Sequence, residues 1–235
     1  MISKWIHLEQ IGGDQWVLPI WAAVNDGVQA ARVGSITPAL GELGLHVSTR
    51  LNMLLCIVRR VNEGVYTLYR AAGECGLENE STPKTEGVAL RVDDNLKYSL
   101  LADLDSLLFE LNAVCELMTT LFEKLHVHAK KQMPKKTAGA SIRHVLEQAG
   151  EDPSWFVQLD THRNFFMHEG TPYVAIDTSN APTNYDLLIM KQNLKSFDDP
   201  NKFVRLSDMN HIVEGFRQSR RVTQEHLRRL FRDEP

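Results

Sequence analysis

Apolar residues recur at helical spacing over two long stretches of this chain, and that rhythm predicts its skeleton. Between Ala39 and Gly73, Leu43, Val47, Leu51, Leu54, Leu55, Val58 and Val61 mark one core-facing stripe. From about Asn95 to Lys131, Leu100, Leu101, Leu104, Leu107, Leu108, Leu111, Val114, Leu117, Leu121 and Leu125 mark a second. The turn-rich, acidic segment 74–94 between them reads as an exposed loop, so the two helices form an antiparallel hairpin. Residues 14–34 predict a short helix from Trp16 to Val33, interrupted at Pro19. Pro134 and Gly139 break the chain ahead of a short helix from Ala140 to Ala149. Pro153 and Ser154 then open another helix, which ends at about His168, before Gly170 and Pro172.

Alternating runs at 171–177 and 184–191 flank a turn-forming Ser-Asn-Ala-Pro-Thr segment and predict a β-hairpin. A helix from about Asp208 to Phe231 closes the pattern. The expected class is mainly α: a helical bundle built on a long antiparallel helix pair, with a small β-hairpin insertion. A single domain over 1–235 is expected, its core at about 36–232 and residues 1–35 an appended short helix.

Composition changes little in this picture. Hydrophobic residues make up 43% and charged residues 24%, proportions of a globular protein rather than a disordered one. No apolar run approaches the roughly 18–20 residues of a membrane span, and the N-terminal residues lack a signal-peptide pattern, so a cytoplasmic protein without membrane partners is expected. Cys56, Cys75 and Cys115 form no CxxC pair, and Cys56 and Cys115 fall in apolar helical patterns that predict inert, buried thiols. The Met53–Leu55 stretch and Met118, Leu121 and Leu125 read as core. His126 and His128 are two apart and point away from each other on a helix, so no metal is expected. Phosphate-binding glycine fingerprints and the GxSxG elbow are absent, and no cofactor is expected.

Charge does change the picture. Lys124, Lys130, Lys131, Lys135, Lys136 and Arg143 fall in a stretch with no acid, alongside His126, His128 and His144. Arg217, Arg220, Arg221, Arg228, Arg229 and Arg232 follow within 216–232, opposed there only by Glu225. The two stretches carry +6 and +5, which leaves the rest at −15 for a net charge of −4. Clustered cations suit a phosphate backbone, or else form a solvated helix face and a basic loop; Lys130, Lys131, Lys135, Lys136, Arg220, Arg221, Arg228 and Arg229 are the candidate contacts to a polyanion such as RNA.

The segment Trp155–His168 concentrates the chemistry. Trp155, Leu159 and Phe166 share a core-facing side, while Asp160, Asn164 and His168 line a second face with Arg163 one turn from Asp160. Arg163-Asn-Phe-Phe-Met-His168 resembles the Arg-x(4–6)-His motif of the HEPN superfamily, the higher eukaryotes and prokaryotes nucleotide-binding domains, in which a polar residue commonly follows the arginine. The looser pattern recurs at Arg205–His211, Arg220–His226 and Arg221–His226, none with Asn, Asp or His directly after the arginine.

The resemblance implies a metal-independent endoribonuclease, with toxin or defence roles common among bacterial relatives, or a binding module for RNA or nucleotides. It implies a homodimer with paired motifs facing one cleft, and leaves room for an antitoxin or other partner protein. In that scheme His168 is the acid/base group, Arg163 holds the scissile phosphate, and Asn164 positions phosphate or histidine. Asp160, one turn away, is placed to orient Arg163. A structural Arg163–Asp160 pair, a capping role for His168 and a helical interaction scaffold remain the alternatives.

Overall fold

The computed structural model of the chain describes residues 14–74, 82–84, 87–89, 93–168, 173–177, 185–192, 194 and 197–232. In chain order the elements are α1 (Leu18–Gln29), α2 (Pro38–Glu74), β1 (Thr82–Lys84), β2 (Gly87–Ala89), α3 (Asp94–His128), α4 (Ala138–Gln148), α5 (Trp155–His168), β3 (Tyr173–Asp177), β4 (Asp186–Met190), β5 (Phe203–Arg205) and α6 (Leu206–Arg229). The fold is mainly helical among the described residues, with a long helix pair, a three-stranded antiparallel sheet β3-β4-β5 and a short β1-β2 pair.

α2 and α3 pack antiparallel: Arg50 pairs with Glu110, Arg60 with Asp103, and Gly64 faces Leu100. Val47, Leu51, Leu54, Ile57, Val61 and Val65 of α2 are buried in one core with Leu104, Leu107, Leu111 and Val114 of α3. Each fully buried aliphatic side chain contributes on the order of 2 kcal/mol. The stripe on α2 is narrower than the raw apolar pattern predicts: Leu55 is 68% exposed and Met53 44%, so neither is core. Successive residues on a helix point about 100° apart, and Leu54 alone of the three faces inward. α3 begins where the Asp93 side chain accepts the Asn95 N–H at 2.8 Å, capping a helix end that would otherwise leave donors bare.

Pro19 starts α1 rather than interrupting it, since the missing N–H of a proline is harmless in the first turn. α1 is also part of the core, not an appendage, with Ile20, Ala23 and Val24 fully buried. Trp21 lies so close to Gly44 of α2 that a Cβ there would stand 2.5 Å from its ring. Most of the expected loop at 74–94 lies outside the described residues; the β1–β2 pairing joins Thr82 to Ala89 and Lys84 to Gly87.

The hairpin forms, with β3 and β4 antiparallel from Tyr173↔Met190 to Asp177↔Asp186; the turn between them and residues 171, 172 and 184 lie outside the described residues. A third strand, β5, adds to β4 with Leu188↔Arg205 and Met190↔Phe203, and runs directly into α6. Arg205 sits at that junction, its Nη1 donating to Asp177 Oδ2 at 3.1 Å and Asp186 Oδ2 at 3.4 Å, so one side chain ties both hairpin strands to the start of the last helix.

Candidate functional site

Trp155 sets the position of α5. Its ring is buried against Phe216, its Nε1 donates to Ser219 Oγ at 3.0 Å, and a Cβ on Gly215 would come within 2.5 Å of it. The N-terminus of α5 is therefore locked to α6. Toward its other end α5 runs against α3 in the opposite sense: the charge of Asp160 reaches Cys115, and Met167 lines the same groove as Phe109.

This placement leaves Asp160 and Asn164 exposed and Arg163 about one-third exposed. Arg163 Nη2 lies 3.8 Å from Asp160 Oδ1, an electrostatic contact too long for a hydrogen bond. Such an exposed pair holds the guanidinium only loosely. His168 closes α5 as the periodicity predicts, and its side chain lies outside the described residues. Leu159 and Phe166 fall on the core side, Leu159 buried and Phe166 packed at its edge.

Beside the C-terminal end of α5 lies a groove of about 830 Å³ between α2 and α3. Met53, Phe109 and Met167 are prominent in its apolar lining, and Arg50, Arg60, Asp105 and Glu110 are its charged groups. Glu110 is only 3% exposed; its Oε2 accepts from Arg50 Nη1 at 2.8 Å, while its Oε1 is buried without a hydrogen-bond partner. Sequence pattern missed this carboxylate because it occupies a position between the leucines of the α3 stripe.

The two basic stretches differ sharply in structure. Arg217 pairs with Glu214, Arg220 with Asp14, Arg221 with Glu151, and both Arg228 and Arg229 with Glu225. The expected arginine stripe on α6 is thus neutralised largely by acids that lie outside the 216–232 window. By contrast Lys124, Lys130, Lys131, Lys135, Lys136 and Arg143 are exposed and have no ion pair among the described residues. Buried Ser141 holds the lysine segment in shape, its Oγ accepting from Lys135 N at 2.9 Å and lying 3.1 Å from Lys135 O.

Histidines and cysteines outside this region add detail. His126 is buried and stacks among Phe122 and His226, and its Nδ1 lies 2.9 Å from the Phe122 carbonyl. A carbonyl only accepts, so Nδ1 carries the proton and the bare Nε2 of His126 accepts from His226 Nε2 at 3.2 Å. Burial, then the neighbouring His126 and Arg229, push the His226 imidazole down to about 4. His128 points elsewhere, toward the Gly34 carbonyl at 3.0 Å, as the two-residue spacing predicts. His162 is partly buried with both ring nitrogens unpartnered, and burial lowers its pKa against the pull of Asp208. Cys56 is exposed, contrary to the expectation of a buried thiol, because it flanks the stripe on α2; Cys115 is partly buried and its thiol is pushed up to about 12, chiefly by burial. Cys75 lies outside the described residues.

Among the described residues no group of three or more His, Cys, Asp or Glu is placed to hold a metal, and no helix is long and apolar enough to cross a membrane. Comparison with family models, with curated proteins and with solved structures gives no match.

Proposed function

We propose that the chain is a metal-independent endoribonuclease of HEPN type, acting as a homodimer. The observation that carries this reading is the accessible Arg163-Asn164 pair in the turn before His168, on the helix whose end borders an open groove; the unneutralised lysine segment after α3 adds charge suited to a polyanion. In the reaction the 2′-oxygen of RNA attacks the adjacent phosphorus and the 5′-oxygen leaves. His168 serves as the acid/base group, imidazole being the side chain whose ordinary pKa lies closest to neutrality. The Arg163 guanidinium stabilises charge on the pentavalent phosphorus, Asn164 positions the phosphate, and Asp160 orients Arg163. Lys130, Lys131, Lys135 and Lys136 hold the flanking backbone.

A second reading, a helical protein-interaction scaffold, draws support from exposed apolar side chains on α2, among them Leu45, Leu55 and Tyr66. Incubation of the purified chain with a mixed RNA pool in excess EDTA, beside Arg163→Ala and His168→Ala, separates the readings. The nuclease cuts without metal and both variants lose cleavage while retaining RNA. Retention of RNA without any cutting indicates the non-catalytic binding module, and absence of both indicates the scaffold. Full cleavage by His168→Ala removes the catalytic assignment.

A further inference from the structure

The groove between α2 and α3 has a chemistry of its own. Its charged groups are not equally spent. Arg50 is engaged by Glu110 through one nitrogen, and Arg60 is engaged by Asp103 through Nε at 2.9 Å and Nη2 at 2.7 Å. Both arginines keep further N–H groups, and beside them two carboxylates keep acceptor capacity. Glu110 Oε1 is buried and unpartnered, and exposed Asp105 has no ion pair among the described residues. A buried carboxylate oxygen without a donor is costly unless something else supplies one. Around these acceptors stand Phe109, 54% exposed, and the thioethers of Met53 and Met167, which form a surface suited to a flat ring. The volume falls within the roughly 300–1,000 Å³ of small-molecule sites.

A ligand for this groove is flat, offers N–H donors on one edge and tolerates a carboxylate environment. We propose that the groove is a nucleobase subsite that selects guanine, with Glu110 and Asp105 accepting from its N1–H and N2 amino groups, Phe109 stacking on the ring, and Arg50 meeting O6. Guanine is the base that presents two adjacent donors beside an acceptor. Uracil presents one donor between two acceptors, and adenine and cytosine each pair an amino group with a bare ring nitrogen. Met167, which closes the groove, lies one turn from Arg163 and next to His168 in sequence, so a base seated here belongs to the nucleotide beside the phosphate that those residues engage. The inference rests on the ribonuclease reading for its biological setting, but binding of the base is a separate property.

Calorimetric titration of guanosine, adenosine, cytidine and uridine 5′-monophosphates into the full chain in EDTA tests it. Guanosine monophosphate binds at least about ten-fold tighter than uridine monophosphate, as expected when a bidentate base-edge contact discriminates. Glu110→Gln, whose retained fold is checked by circular dichroism, abolishes that ratio. Asp105→Asn, at an exposed position, reduces it even if Glu110→Gln fails to fold. Phe109→Ala weakens all four nucleotides together, because stacking is indifferent to base identity. Affinities within two-fold of one another, no binding of any nucleotide, or a guanine preference unchanged in Asp105→Asn and in folded Glu110→Gln overturns the proposal. Selective guanine binding by a chain that cuts no RNA keeps the subsite and removes the nuclease. Cleavage that ignores guanine does the reverse.

Discussion

Replacing His226 by phenylalanine probes the buried imidazole pair between α3 and α6. In the wild type His126 donates its Nδ1 proton to Phe122 and accepts at Nε2 from His226, so the resting pair is neutral with both tautomers fixed. A further proton loses hydration in this buried site first of all, and then meets Lys131 on His126 or His126 and Arg229 on His226, which is why both imidazoles are pushed down. The sign follows from linkage. Between pH 6.5 and 4 the unfolded chain holds a proton on His226 that the folded chain refuses, so stability falls as pH falls through that window. The drop from 6.5 to about 4, at about 1.36 kcal/mol per unit, is worth roughly 3 kcal/mol, an upper value because the ring is only partly buried. His226→Phe keeps the ring stack on Phe122 and removes the titration. Urea unfolding followed by tryptophan fluorescence at steps from pH 7.5 to 4.5 gives the comparison, and carboxylate effects common to both proteins cancel in the difference. The variant is less stable by about 1 kcal/mol at pH 7.5, having lost one hydrogen bond, and its curve then crosses or approaches that of the wild type as pH falls. Parallel curves over the whole range refute the reasoning.

Three further outcomes follow from packing and charge. Gly215→Ala places a methyl 2.5 Å from Trp155 Cγ and Cδ1, and overpacking of this kind lowers stability by about 1–3 kcal/mol; an unchanged urea midpoint contradicts the packing described. Arg50→Met leaves the Glu110 carboxylate buried and unpaired at a cost of about 3–5 kcal/mol, and the double change Arg50→Met with Glu110→Leu recovers most of it in thermal unfolding. Converting Lys130, Lys131, Lys135 and Lys136 to alanine weakens binding of labelled single-stranded RNA and lowers the slope of log affinity against log salt by about 3, whereas converting Arg220, Arg221, Arg228 and Arg229 to glutamine changes the slope less and stability more.

Helix positions were legible wherever burial follows a 3.6-residue period. The termini of α4 and α5 fall within two residues of expectation because Thr137 caps one and the Pro153-Ser154 turn opens the other. β5 was invisible for a physical reason: Phe203–Arg205 has no pattern of its own, and it is a strand because β4 offers it an edge. Glu110 and His126 were missed as buried groups since a polar residue between leucines looks like the solvent side of a helix until its partners, Arg50 sixty positions away and His226 a hundred positions away, are known. The polar face Asp160–Asn164 of α5 was readable; the groove that Met167 lines at the end of that helix was not, because Phe109 and Met53 reach it from other helices.

The arginines of α6 show most clearly why a charge count misleads. Arg220 Nη2 binds Asp14 Oδ1 at 2.7 Å, while Trp16 Nε1 donates to the Arg220 carbonyl at 2.7 Å and Gln224 Nε2 to the Trp16 carbonyl at 2.5 Å. Arg32 Nη2 reaches the Phe231 carbonyl at 3.0 Å. These contacts join segments some two hundred residues apart and seal α1 against the last helix, so Arg220 acts in closing the fold. An arginine held in this way offers little attraction to a phosphate, since its charge is already matched by Asp14. The lysine segment after α3 has neither constraint. Its cations stand on a loop shaped by Ser141, exposed and without ion pairs among the described residues, which is the arrangement from which counterion release can drive polyanion binding. Two stretches of nearly equal formal charge therefore present very different surfaces, one largely neutralised and one not, and the difference lies in acids that sequence proximity does not reveal.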